Sequence, residues 1–258
     1  EVGFNITGDL EGNFINGDIS YMFNDDIEAK AGININSKAP DFNFQLFQSD
    51  YLSYNWQNNF RNQQTKQLAI ALKSKKYGSL QLDYNTIGNY LYFAKNEGAS
   101  VKPFQHDGTL NYIRVKFSNE ISYKKFALNN TILFQNVFDG DEVLNVPQLV
   151  TRHSFYYTNE FFKKALFLQT GLTFSYFSSY SMNAYDPLLA EFYTQNTTEI
   201  GDFPRIDFFI NAKISQARIY LKAEHLNSSF TGYDYYSAPN YPYRDFTVRF
   251  GIVWNFFL

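Results

Sequence analysis

The chain has 258 residues and no cysteine, which excludes disulfides, thiolate metal sites and a cysteine nucleophile. Its net charge is −3, with no basic tail or Lys/Arg cluster to serve nucleic acid. The mean hydropathy of −0.36, with no run of about 18 apolar residues, excludes a membrane-spanning helix.

Aromatic residues nevertheless make up 20% of the chain. A chain that meets lipid only on alternate residues can be this aromatic and still net hydrophilic. No basic and apolar leader precedes the first strand-like run, Val2-Gly3-Phe4-Asn5-Ile6. The expectation is a mature or truncated product that lacks upstream residues.

Period-two alternation predicts strands at 2–10, 14–24, 26–37, 64–75, 78–91, 108–123, 126–138, 148–161, 165–178, 204–215, 217–228 and 244–258. Most reach the ~9–11 residues that a tilted strand needs to cross a bilayer. The connections alternate between two kinds. Short ones fall at Asn24-Asp25-Asp26, Ser74–Gly78, Lys124-Lys125, Phe162-Lys163-Lys164 and Ser215-Gln216. Long ones, rich in Asn, Asp, Tyr, Gly and Pro, fall at about 37–62, 92–107, 139–147, 179–204 and 229–243. Outer-membrane barrels have this asymmetry, with short periplasmic turns and long outer loops, so the C-terminus is expected on the periplasmic side. The segment 38–62 is read as an extension of its neighbouring strands above the membrane. The fold expected is all-β: one transmembrane antiparallel up-and-down β-barrel domain over 1–258, with twelve strands, or fourteen if strands are missing upstream.

The faces separate cleanly. In 26–37, Ile27, Ala29, Ala31, Ile33 and Ile35 oppose Glu28, Lys30, Asn34 and Asn36. In 108–123, Ile113, Val115, Phe117 and Ile121 oppose Arg114, Lys116 and Glu120. In 204–215, Ile206, Phe208, Ile210, Ala212 and Ile214 oppose Arg205, Asp207, Phe209, Asn211 and Lys213. In the last strand, Phe246, Val248, Phe250, Ile252, Trp254, Phe256 and Leu258 form the lipid face that closes the barrel. Strand 126–138 is the exception, because Asn130 interrupts its apolar face. A soluble sandwich would also alternate, but its strands usually run only about five or six residues.

A charge facing lipid at mid-depth costs roughly 2–4 kcal/mol, so the charged face is assigned to the lumen. That assignment places Lys30, Lys73, Arg114, Lys116, Arg152, Arg205, Lys213, Arg218, Lys222 and Arg249 inside. It also places Glu28, Asp83, Glu120, Glu160, Asp207 and Glu224 inside, which leaves a net charge of about plus four. A basic lumen concentrates anions. The alternative is that these cations pair with carboxylates across strands and fill a narrow barrel, helped by inward Phe167 and Phe209.

Several stretches resemble the putative porin family of Bacteroidota. They are Tyr185-Asp186-Pro187, Glu191–Asn196, Ile200–Asn211, Arg218–His225, Tyr241-Pro242-Tyr243-Arg244, Arg249–Phe257 and, earlier, Lys164–Gly171. The resemblance is strongest over 150–258. TonB-dependent receptors share part of this pattern, but their 22 strands and plug exceed 258 residues. The resemblance implies an outer-membrane barrel of the porin kind, with no catalytic residues. It also implies that the last strand is the signal read by the barrel-assembly machinery.

Other chemistry is thinly supported. His106, His153 and His225 lack metal-ligand spacing and are read as solvated or interfacial. His225-Leu226-Asn227-Ser228-Ser229 has the residue types of a barrel lipase, in a chain where Ser and Asn are common. Asp139-Gly140-Asp141-Glu142 lacks EF-hand spacing and is read as a solvated acidic loop. No enzyme, metal or cofactor is expected. The first functional reading is a porin passing small hydrophilic solutes, with weak anion preference. The alternative is a non-conducting barrel subunit of a larger secretion or assembly complex. The partners expected are outer-membrane lipid and lipopolysaccharide, the barrel-assembly machinery and, in the alternative reading, other outer-membrane proteins.

Overall fold

A computed structural model describes residues 1–4, 12–231 and 235–254. One antiparallel sheet dominates it. Its strands are β1 (Val2–Phe4), β2 (Asn13–Met22), β3 (Ile27–Lys38), β4 (Gln63–Ser74), β5 (Gly78–Gly88) and β6 (Thr109–Tyr123). They continue as β7 (Phe126–Asp139), β8 (Leu149–Phe161), β9 (Leu166–Phe177), β10 (Arg205–Ile214), β11 (Ala217–Glu224) and β12 (Thr247–Trp254). Each strand pairs with its neighbours in sequence and there is no crossover among the described residues. All twelve predicted strands have a counterpart. The predicted strand 2–10 and the tail from 255, including Phe256, lie partly or wholly outside the described residues.

Barrel closure does not appear. The sheet runs in order from β1 to β12, and no ladder joins β12 to β1 among the described residues. The described part of β1 is a three-residue strand, too short to pair along the eight residues of β12. Phe246 precedes β12, while Val248, Phe250, Ile252 and Trp254 stand on its apolar face and are exposed to solvent.

Register carries the face pattern around the sheet. Ala29, Leu72, Leu80, Phe117 and Ile132 form one cross-strand row. Ile121, Leu128, Phe155, Leu172, Phe208, Ala223 and Val248 form another. Because side chains alternate, every residue one step along a strand from these rows faces the other way. Glycine is required where two strands approach closely: a Cβ at Gly171 would overlap the Phe155 carbonyl and Tyr156. Gly171→Ala is expected to cost about 1–3 kcal/mol as overpacking, read as a lowered denaturation midpoint of the refolded protein in detergent.

The compact core is not in the sheet. Most of the buried apolar side chains, including Phe93, Val101, Val143, Ala184, Ile200 and Tyr235, belong to the long connections. The predicted extension at 38–62 folds instead into a short helix, Phe42–Gln45, and a two-residue ladder of Leu46–Phe47 with Trp56–Gln57. Its Asn and aromatic residues find partners in other loops and do not continue the neighbouring strands. Hairpins Leu91–Lys95/Val101–Gln105, Ala184–Asp186/Glu191–Tyr193 and Tyr236–Ala238/Tyr241–Pro242 fill three other loops.

These loops interlock. Phe93 stacks on Phe44 at 4.5 Å, and its carbonyl accepts the Thr194 N–H at 2.7 Å. The Tyr54 hydroxyl donates to Asp186 Oδ2 at 2.8 Å. Asn43 donates to Glu191, and Tyr185 meets Tyr241 edge-on at 5.9 Å. Strands β4 and β9 are five spacings apart, about 24 Å along a flat sheet. The loop before β4 and the loop after β9 bridge this distance by direct contact. The loops meet as a cap over one end of the sheet. Burial and the Asp186 carboxylate hold the Tyr54 phenol above its ordinary range. The raised value means that the folded state holds this proton more tightly than the unfolded chain. The Tyr54–Asp186 tie is therefore intact below about pH 10 and lost as pH rises through the raised value. Faster proteolysis of 39–62 at strongly alkaline pH, absent in Tyr54→Phe, would show it.

Candidate functional site

The polar face of the sheet is the candidate site. Register puts all ten predicted cations and all six predicted carboxylates on it. It also shows an arrangement that no single strand reveals. Glu28, Lys73, Ser79, Ser118, Thr131, Arg152, Ser175 and Arg205 form one continuous row across eight strands. Sequence reading finds the charges of this belt and puts Ser175 on the polar face of its strand, but it misses the row, because the hydroxyls join the charges only once the register is known. A cavity of about 460 Å³ opens on this face, lined by Asn129, Arg152, Thr173, Asn211 and Lys222 among others. Its walls come from five consecutive strands, β7 to β11.

The charges are unequally matched. Each of the six predicted carboxylates is engaged, while Asp18, on the same face of β2, is exposed and has no hydrogen bond or ion pair among the described residues. Glu28 pairs with Lys30 at 3.1 Å, and Asp83 receives both Nε and Nη2 of Arg114, at 3.1 and 2.8 Å. Glu120 accepts the Tyr156 hydroxyl at 2.7 Å, and Glu160 lies 3.9 Å from Lys164. Glu224 sits between Lys222 at 2.8 Å and Arg249 at 3.0 Å. Asp207 lies 3.4 Å from Lys222 and 3.9 Å from Arg205. Lys73, Lys116, Arg152, Lys213 and Arg218 have no ion pair among the described residues. Pairing thus accounts for Lys30, Arg114, Arg205, Lys222 and Arg249 and leaves five cations unneutralised. Lys213 and Arg218 are also directly opposite one another, an arrangement of like charges that is normally destabilising.

A second polar cluster stands where β10, β11 and the last loop meet. Asp207 Oδ1 accepts the His225 backbone N–H at 2.9 Å, and the His225 ring donates from Nδ1 to the Arg244 carbonyl at 2.7 Å. Tyr235 and Tyr243 meet the imidazole edge-on at 4.5 and 5.6 Å. Arg205 stacks over Tyr243 with its guanidinium carbon 5.2 Å from the ring centre. His225 is therefore 1% exposed, which corrects the expectation of a solvated or interfacial histidine. The two rings and Asp207 enclose it. Burial also pushes the Tyr235 phenol up.

The lipase arrangement is not assembled. Asn227 hydrogen-bonds to the Pro204 carbonyl, Thr231 and the Ile206 N–H. Among the described residues, the Ser228 hydroxyl is bonded to neither His225 nor Asn227. In the acidic loop, Asp139 accepts from Asn111 at 2.8 Å and Glu142 faces His106 at 3.6 Å, so the two carboxylates are engaged separately. His153 lies on the apolar face, bonded to Asn130.

No curated protein matches the chain. Among solved structures it is similar to a ferric enterobactin receptor of Pseudomonas aeruginosa in complex with enterobactin. The two share 11% identity at a TM-score of 0.60, over 94% of this chain and 40% of the receptor. Another structure of a Pseudomonas aeruginosa ferric enterobactin receptor gives a TM-score of 0.53 at 12% identity, over 84% and 34%. The chain thus spans well under half of the receptor's length, and at this identity the likeness is one of fold. An up-and-down antiparallel sheet, apolar on one face and charged on the other, that overlays the wall of such a receptor defines the outer-membrane β-barrel class. Within that class the chain belongs to the putative porin family, whose model matches residues 1–258. Family and fold neighbours both point to the outer membrane.

Proposed function

We propose that the chain forms an outer-membrane porin for passive diffusion of small hydrophilic solutes with weak anion preference. The carrying observation is the unequal matching on the polar face: five cations have no ion pair among the described residues, against two carboxylates there, Asp18 and Glu120, that have none. Closure supplies the lumen. Unpaired backbone groups along β12 and β1 would each cost several kcal/mol in lipid, so the edges must find strand partners in the membrane. Closure turns the belt of Lys73, Arg152, Arg205 and intervening hydroxyls inward. It leaves Phe246, Val248, Phe250, Ile252 and Trp254 against lipid and lipopolysaccharide. Unpaired Lys116, Lys213 and Arg218 extend the positive field through the channel, while paired Lys30, Arg114, Lys222 and Arg249 contribute less to it. The loop cap narrows the outer entrance and sets a size limit.

The test is single-channel recording in planar bilayers. The protein is expected to conduct, with a reversal potential that favours anions in a salt gradient. Lys116→Gln, Arg152→Gln and Arg218→Gln together should abolish that preference while single-channel conductance stays within about two-fold, because the pore walls keep their size. An unchanged reversal potential would remove the selectivity assignment, and the absence of any current would remove the porin reading.

A further inference from the structure

Part-way along β6, β7 and β8 the apolar face is crossed by a row of polar side chains. Asn119, Asn130 and His153 occupy a single register row across β6, β7 and β8. Asn130 donates from Nδ2 to Asn119 Oδ1 at 3.0 Å, and His153 donates from Nδ1 to Asn130 Oδ1 at 2.7 Å. Apolar residues flank the row along β6 and β7, namely Phe117, Ile121, Leu128 and Ile132, and on β8 Phe155 stands on one side and Thr151 on the other. Phe174 follows His153 in the row, its ring 6.2 Å away. The row therefore lies at acyl-chain depth and not at the headgroups.

The hydrogen bonds all run one way, which leaves unlike ends. The Asn119 amide keeps N–H groups to donate. With Nδ1 donating, the neutral His153 ring keeps a lone pair at Nε2. Acyl chains offer nothing to either end, and polar groups at this depth are costly unless they meet protein. A second copy of the chain offers both partners. Rotation by a half-turn about an axis normal to the membrane through Asn130 brings each donor end towards the other copy's acceptor end, the condition for a self-complementary two-fold contact.

We infer that the wall formed by β6, β7 and β8 is a homodimer interface within the membrane, centred on Asn130. Interhelical polar contacts in membranes work in the same way, with amide and imidazole side chains joining elements where apolar packing discriminates poorly. This contact is independent of whether the pore conducts, since it uses the opposite face of the sheet.

The absence of cysteine makes the test clean. Ile132→Cys, beside Asn130 on the same face, is expected to give a cross-linked dimer when oxidised in intact outer membranes. Ile33→Cys, on the apolar face of distant β3, is expected to stay monomeric. Adding Asn130→Leu and His153→Phe to Ile132→Cys should reduce cross-linking at least ten-fold. Should Ile132→Cys fail to reach the membrane, Leu128→Cys reads the same contact from the other side of the row. No cross-link at either position, equal cross-linking at Ile33→Cys, or cross-linking that survives loss of Asn130 and His153 would each overturn the interface.

Discussion

Asp207→Ala is expected to lower stability by about 3–5 kcal/mol, more than any other single charge removal on the polar face. Asp207 is 4% exposed. It is approached by Lys222 and Arg205 and also accepts the His225 backbone N–H. Truncation leaves two cations and a buried donor without their shared acceptor, and it is this uncompensated burial that costs, more than the net strength of the pairs. The loss should appear as a lower denaturant midpoint in detergent and as early proteolysis between 225 and 246. Asp207→Asn keeps an acceptor for the His225 N–H and should lose less. The contrast is Asp83→Ala. Its partner Arg114 has a half-exposed side chain, and the change should cost under about 1 kcal/mol. Equal losses at Asp207 and Asp83 would contradict the central place given to the C-terminal cluster.

The second large effect is expected at Phe93→Ala. Phe93 is 3% exposed, stacks on Phe44 and lies 6.3 Å from Trp56. Removing a buried phenyl ring costs about 3–5 kcal/mol where the site cannot collapse. Here the cost should fall on the cap alone, since the strand ladders do not depend on it. The expected signature is split: rapid proteolytic nicking in 39–62 and 178–204 with unchanged protection of the strands. If the cap limits entry, single-channel conductance should also rise. Global loss of strand protection would show that cap and wall are one cooperative unit.

The wall is legible in the sequence because a strand declares itself locally. Period two, strand length and the alternation of short and long connections locate all twelve strands, and parity alone separates Arg218 and Lys222 from Ile219 and Leu221. What parity cannot supply is register. The belt linking Lys73 to Arg205 through Ser79, Ser118, Thr131, Arg152 and Ser175 depends on the offsets between successive strands, none of them written in any one strand. The cap is hidden for a related reason. Its contacts join residues such as Tyr54 and Asp186, 132 positions apart, and Asn- and Tyr-rich connections read equally well as solvated loops. Sequence reading misplaces His225 because its burial comes from Tyr235 and Tyr243, which lie on a connection with no periodicity. Barrel closure remains a proposal, because period and parity describe strands and not how a sheet meets its own edge.

The placement of the compact core in the connections has a consequence for how the molecule is made. On the proposed barrel reading the wall's outward side chains would find their partners in lipid, strand by strand, and each strand pairs with its sequence neighbours, about half of them across short turns that keep the pairing local. The cap is different: its contacts span up to 148 positions and join loops from opposite flanks of the wall. It cannot assemble until the strands beneath it are in place. On that barrel reading the connections would cross the bilayer as open chain and condense afterwards on the far side. This would order assembly in time, with the entrance completed last.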